Sequence, residues 1–381
     1  MSAIGDFKTM LSSPISRSLT WIPGFILASA VALVASFTAQ WIGEHLLGFS
    51  RSPISDIMMA IVLGMIIANT ITLNDAIRDG LKFCATTVLR IGIMLLGIRL
   101  SFFSAGKFTL VALPFVVISI VSALGTMRFL GRLMGLSPQL TGLIAVGTSI
   151  CGTTAIVATA PLLKAKQTEV SYAIACITIF GLIAMFLYPF FAHFLFSDNP
   201  IMAGLFLGTS IHETAQVAGA GLMYQAQYND PVALDIATIT KLVRNLSMIA
   251  VIPAIGIIFS EDDQNSESQS KFAWLAMIPW FIVGFGIMSA IRSIGDLGET
   301  PFGLLTTAQW DHIVDITKTT AEKLLLIAMS AVGLTSLLKG MREVGLKPFL
   351  LALFAATLVG IVSIFGIFLL AENLLTALNI A

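Results

Sequence analysis

The sequence predicts an all-α polytopic membrane protein of inverted-repeat architecture, with about nine spanning helices and two hairpin or broken helices. Three observations carry that prediction. Of 381 residues, 57% are hydrophobic and only 11% charged, with a mean hydropathy of +0.94; a soluble domain carries about 25% charged residues. Apolar runs recur along the chain at lengths near the roughly 20 residues that a hydrocarbon core requires. Two of those runs are interrupted by Gly, Ser and Thr at matching positions.

The runs fall near 22–43, 54–73, 82–100, 108–130, 140–165, 170–196, 201–226, 236–259, 272–291, 322–338 and 348–371. The first follows Lys8 and Arg17, as in a signal peptide, but is too long for a signal core and reads as a retained helix after a cytoplasmic segment 1–21. Residues 22–381 then form one transmembrane domain whose pseudo-repeat halves divide near 197–271, a stretch that includes the polar loop SEDDQNSESQSK at 260–271. A short amphipathic helix around Trp310 is expected in the external connection 295–321.

Runs 140–165 (LTGLIAVGTSICGTTAIVATAPLLKA) and 201–226 (IMAGLFLGTSIHETAQVAGAGLMYQA) are the exceptions. Read as hairpins that enter and leave on one side, with the N-terminus inside, they place Lys8, Arg17, Arg78, Lys82, Arg128, Arg132, Lys164, Lys166, Lys271, Lys339, Arg342 and Lys347 in the cytoplasm. Arg51, Lys107, Arg292, Lys318 and Lys323 fall outside, a positive-inside bias that a full crossing of 140–165 weakens. GTSICGTTA at 147–155 and GTSIHETAQ at 208–216 agree at five of nine positions, and one crossing lies between them. A weaker echo links 89–100 (LRIGIMLLGIRL) with 325–336 (LLIAMSAVGLTS). Inverted repeats with broken helices mark secondary transporters, whose sites lie at the breaks.

Backbone that leaves helical geometry in a membrane must face protein or a wet cavity. Gly147, Gly152 and Gly208 are the expected hinges. Thr148, Ser149, Thr153 and Thr154 in the first hairpin, and Thr209 and Ser210 with Thr214 in the second, offer hydroxyls beside free N–H groups. A half-helix beginning near Thr153 would add the partial positive charge of its N-terminus. Close packing by small residues is the simpler role of either motif alone; the matched pair favours a site.

Charge is the second signal. Arg90 lies mid-helix, and Arg99 lies near the helix end, where it can snorkel. In ATITKLVRNLSMIAVIP, the rows Thr238–Lys241–Asn245 and Thr240–Arg244–Ser247 make one polar face. A cation at the bilayer centre costs about 2.5–3.5 kcal/mol, so such groups face a cavity or a counter-charge. Glu213 is read as the only deep carboxylate, which leaves Arg90, Lys241 and Arg244 with a surplus near +2 that an anionic substrate would neutralise. His212 and Glu213 open an HExxH-like pattern that fails at Gln216, so no metal site is expected; Glu213 is assigned first to an ion pair with Lys241 or Arg244, and otherwise to a coupling cation. Cys84, Cys151 and Cys176 lie singly in apolar stretches, there is no P-loop, and no nucleophile–base pair is evident.

GTSICGTTAIVATAP at 147–161, GTSIHETAQVAGAG at 208–221 and ATITKLVRNLSMIAVIP at 237–253, in that order, resemble the proposed sulfate-exporter family of YeiH-like bacterial membrane proteins over most of the chain from about residue 54. The resemblance implies an inner-membrane secondary transporter related in fold to the sodium/proton antiporter and bile-acid symporter group, with sulfate, sulfite or a sulfonate as substrate. The expectation is therefore a small-oxyanion exporter in a bacterial inner membrane. Its partners are the anion and the lipid bilayer, with no cofactor and no nucleic acid, and with a homodimer left open. Export needs no coupling ion, because a dianion leaving a negative interior gains about 4.6 kcal/mol per 100 mV, at roughly 2.3 per charge. The alternatives are a cation/proton antiporter using Glu213 and His212, and a non-transporting intramembrane enzyme or scaffold.

Overall fold

The structure is a computed structural model and describes residues 20–46, 55–259, 279–297, 300–336 and 345–380. The N-terminal segment up to residue 19, the polar stretch 260–271, and Lys8, Arg17, Arg51, Lys271, Lys339 and Arg342 of the charge argument lie outside the described residues. Every regular element among the described residues is helical.

The helices are α1 (Ile22–Trp41), α2 (Asp56–Thr70), α3 (Asp75–Arg99, with a π turn at Cys84–Val88), α4 (Phe102–Leu133), α5 (Pro138–Ser149), α6 (Thr153–Thr159), α7 (Gln167–Phe196) and α8 (Pro200–Ser210). They continue as α9 (Thr214–Tyr228), α10 (Val232–Leu246), α11 (Met248–Phe259), α12 (Trp280–Gly295), α13 (Thr307–Thr335) and α14 (Leu346–Ala377). Among the described residues five of these, α1, α3, α4, α7 and α14, are long and apolar enough to cross a bilayer, and α10 with α11, bent by 44°, makes a sixth if the pair is one span. This is a polytopic membrane protein; of the nine spans expected, the described residues match five or six, since α2 and α12 are 15 and 16 residues long there and the 29-residue α13 carries Lys318, Glu322 and Lys323. Large apolar side chains project outward on the long helices, Phe37, Val121, Phe194 and Leu369 among them. Such faces suit lipid.

Trp310 corrects one sequence expectation. It lies in the first turn of the 29-residue α13, not on a separate short helix, and its indole N–H donates to Asp296 at 2.8 Å.

The chain forms two compact units, residues 1–92 with 323–338 and residues 93–322 with 339–381. In the first unit α1 meets the start of α3 backbone to backbone, because Gly24 and Gly80 face each other. Gly64 of α2 meets Gly333 of α13 in the same way, and Asn69 Nδ2 donates to the Ser336 carbonyl at 3.0 Å. Ala28, Val31, Leu81, Cys84, Val88, Ala331 and Leu334 fill the space between. Close approach through small residues is the usual way that apolar helices gain contact where water provides no driving force.

The second unit is built on α7, whose 30 residues separate two helix–break–helix segments. In the first of these the chain doubles back. Ser137, the N-cap of α5, donates to Glu169 at the start of α7, and Gly142 lies against Leu163 beyond the end of α6. A straight continuation from 142 to 163 would part them by about 30 Å at 1.5 Å per residue. The second also doubles back: Gly204 of α8 and Gly221 of α9 pack against Ala233, Leu234 and Ile236 near the start of α10. His193, near the end of α7, stacks on Tyr228 at the end of α9 with ring centroids 3.7 Å apart. Both segments are therefore hairpins, with their bases at opposite ends of α7. Their tips reach its middle, where Gln216 Nε2 donates to the Thr178 carbonyl at 3.3 Å.

Candidate functional site at the crossing of the two hairpins

The breaks fall at Ile150–Gly152 and Ile211–Glu213. Gly152 has φ +69°, a conformation that favours glycine, and α6 starts at Thr153 as the sequence predicts. Gly147 and Gly208 are not the hinges they were expected to be. They lie inside α5 and α8, where Gly147 receives Ile156 and Ile177 and Gly208 receives Thr240 and the Ala237 carbonyl.

A helix that stops inside a protein leaves its last carbonyls without intrahelical donors, and the macrodipole makes that end negative. Here α5 and α8 both end at the crossing, and α10 passes beside them carrying two buried cations. The Lys241 ammonium donates to the carbonyls of Ile150 at 2.8 Å, Ile211 at 3.0 Å and His212. Arg244 donates through Nε to Ser149 at 2.7 Å, through Nη1 to Thr209 at 2.6 Å and Ile211 at 3.1 Å, and through Nη2 to Thr148. Both side chains have no solvent exposure. The physical partner of the two cations in this state is thus the pair of half-helix C-termini, a class of counter-charge that the sequence argument did not weigh.

The opposite ends of the half-helices meet the one carboxylate of the crossing. Glu213 is the N-cap of α9 and accepts from the Gln216 N–H, while Gln216 Oε1 accepts from the Glu213 N–H at 3.2 Å. The same carboxylate accepts from the Thr153 N–H at 3.2 Å and from the Thr153 hydroxyl. The ion pair expected between Glu213 and Lys241 or Arg244 is replaced by these caps. The physical reason is that a carboxylate gains more from two converging helix N-termini than from cations already saturated by carbonyls. Glutamate followed three residues later by glutamine was the legible signal, a capping box that served in the sequence only to dismiss a metal motif.

The remaining predicted site residues divide by side. Thr148, Ser149 and Thr209 are buried and turn their hydroxyls back on the carbonyls of Ile144, Val146 and Leu205; Thr209 also meets Ser363 of α14. Ser210 and Thr240 are buried with no partner for their hydroxyl oxygens. His212 is buried beside the Thr148 backbone, with neither ring nitrogen in hydrogen-bond geometry. Glu213, Thr153 and Thr214 are half-buried and Thr154 is exposed, so the accessible flank of the crossing is the one where α6 and α9 begin. Arg90 is half-buried on α3 within the other compact unit.

Asp235 is a deep carboxylate that the sequence reading missed. It pairs with Arg99 Nε at 2.7 Å, and Arg99 Nη1 reaches Glu322 at 3.0 Å, itself held by Gln225 at 2.9 Å. Arg99 is therefore locked to acidic neighbours and does not snorkel. Asp235 lies one residue before the apolar run that starts at 236, so position in the sequence alone does not mark it as deep.

Crossed hairpins among long apolar helices define a polytopic membrane protein with interrupted helices. The chain belongs to the UPF0324 membrane proteins: the family model described as "Conserved hypothetical protein 698" matches residues 23–352. A UPF0324 membrane protein of Agrobacterium fabrum is 31% identical over 374 residues, covering 95% of this chain and 98% of the relative. The UPF0324 inner membrane protein YeiH of Salmonella typhimurium is 33% identical, covering 89% and 92%. YeiH of Escherichia coli K12 is 32% identical with the same coverage of 89% and 92%.

Proposed function

We propose that this protein is a secondary transporter of a small oxyanion, of the sulfate or sulfite type, acting outward across a bacterial inner membrane. The observation that carries the reading is the charge arrangement at the crossing: two fully buried cations, Lys241 and Arg244, stand behind one half-buried carboxylate, Glu213. The carboxylate already occupies the accessible N-terminal flank of α9, a position chemically suited to an anion. An oxyanion arriving there would take donors from Thr153, Thr154 and Thr214, feel the field of the two cations, and displace the Glu213 carboxylate. Movement of the hairpins, related as inverted repeats, against the other helices would expose that flank to each side in turn. Relatives named as inner membrane proteins support the compartment.

The test is binding and flux with purified protein. Sulfate or sulfite should raise the melting temperature saturably and leave preloaded proteoliposomes down an imposed potential. Glu213→Gln, which removes the competing charge and keeps an acceptor for the caps, should tighten oxyanion binding several-fold. Vesicles that instead dissipate a pH gradient without regard to sulfate, with that activity lost in Glu213→Gln, would replace the oxyanion reading by a cation/proton antiporter.

A further inference from the structure

Lys241 is bound as a metal cation would be bound. Its ammonium sits among three main-chain oxygens, from Ile150 on one hairpin and from Ile211 and His212 on the other. None of these oxygens belongs to a side chain, and two come from the segment that leaves helical geometry at the second break. Unwound carbonyls at half-helix C-termini form the donor set by which interrupted membrane helices hold monovalent cations. Oxygen ligands of that kind suit hard ions and do not discriminate strongly between an ammonium and an alkali ion of similar size. Arg244 extends the arrangement, spanning Thr148 and Ser149 of the first hairpin and Thr209 and Ile211 of the second.

We infer that Lys241 is a covalently tethered occupant of a monovalent-cation site, so that the hairpin crossing is held together without Na+, K+ or Li+. The inference concerns what joins the two tips and stands whether or not an oxyanion is carried. Its consequence is that removing the ammonium while leaving room for an ion opens a site that the native protein fills itself. Lys241→Ala leaves the carbonyls of Ile150, Ile211 and His212 facing a void of roughly side-chain size. Lys241→Met removes the charge and fills the same volume.

The experiment measures the melting temperature of the full-length protein in detergent, at constant ionic strength, with N-methylglucamine, Na+, K+, Li+ or methylammonium as the chloride salt. The native protein should melt at the same temperature in all five. Lys241→Ala should lose about 5 °C or more in N-methylglucamine, and recover a large part of that loss, saturably, with methylammonium or one of the alkali ions. Lys241→Met should show a comparable loss and no recovery with any ion. A saturable rise of the native protein with Na+, K+ or Li+ would overturn the inference. So would a Lys241→Ala variant that is as stable as the native protein, or one that is destabilised but indifferent to every cation. Should Lys241→Ala fail to accumulate, purification with methylammonium present throughout gives the same answer, since recovery of folded protein only in its presence supports the site and failure in all salts rejects it. Because these readouts need neither sulfate nor flux, they can fail while the transporter reading holds, and the reverse.

Discussion

Arg99 and Asp235 illustrate what a single buried charge requires of its surroundings. Both side chains are largely shielded, and each is the nearest ion of opposite sign to the other at 2.7 Å. Removing one partner strands the other, which typically costs about 3–5 kcal/mol, whereas replacing both by apolar groups is often close to neutral. Arg99→Met should therefore be strongly destabilised, and Arg99→Met with Asp235→Leu should regain most of the loss; melting temperatures of the two variants and of Asp235→Leu alone close the cycle. The pair also shows where reading the sequence stops. Lys241 and Arg244 were legible as special because two cations one turn apart in an apolar run have no cheap explanation. Their partners were not, because main-chain carbonyls carry no letter in a sequence, and only the convergence of two helix ends makes them the ligands. Glu213 was legible as a deep carboxylate and misassigned, since charge alone favoured a cation over a pair of helix N-termini.

Elements obey a different logic, that of surfaces pressed together. The hairpin α8–α9 runs along α10 on both its limbs, and glycine sets how near each limb can come. A Cβ added at Gly208 would lie 2.5 Å from the Thr240 Cβ and 2.8 Å from the Ala237 carbonyl oxygen. Neither can withdraw without moving α8 away from α10, and overpacking of this kind costs about 1–3 kcal/mol. Gly208→Ala should accordingly lower the melting temperature, while Gly106→Ala, where an added Cβ meets nothing within 4 Å, should leave it unchanged. That both segments are broken was readable in the sequence from the repeated GTSI, whereas the choice of hairpins over broken crossing helices leaned on Lys164 under the positive-inside rule and stayed open. Which glycine bends the chain was not readable: the break begins at the isoleucine of GTSI in both hairpins, and the left-handed Gly152 occurs in only one.

For the molecule as a whole, the arrangement fixes which ends share a side of the membrane. The base of the first hairpin brings residues 137 and 169 together, so the chain before it and the chain after it emerge on one face. Arg132→Cys and Lys164→Cys, both at exposed positions, should react with a membrane-impermeant maleimide from the same side, and Asp198→Cys and Asn229→Cys from the other. Labelling of Arg132→Cys and Lys164→Cys from opposite sides would mean that the first segment crosses fully. The all-helical, membrane-spanning character followed from composition together with apolar runs of bilayer length. The number of spans did not: among the described residues five helices, or six with the bent pair α10–α11 as one span, are long and apolar enough to cross.

One further consequence lies in α7. It runs unbroken for 30 residues from the foot of one hairpin to the foot of the other, and thus acts as a spacer bar whose length decides whether the two tips are level. Four residues inserted near its middle would lift one foot by about 6 Å, at 1.5 Å per residue. The ammonium of Lys241 could then reach the oxygens of one tip only. Its exposed positions, Leu187, Phe191 and Phe194 among them, can change among apolar residues, but its residue count cannot change without parting the tips.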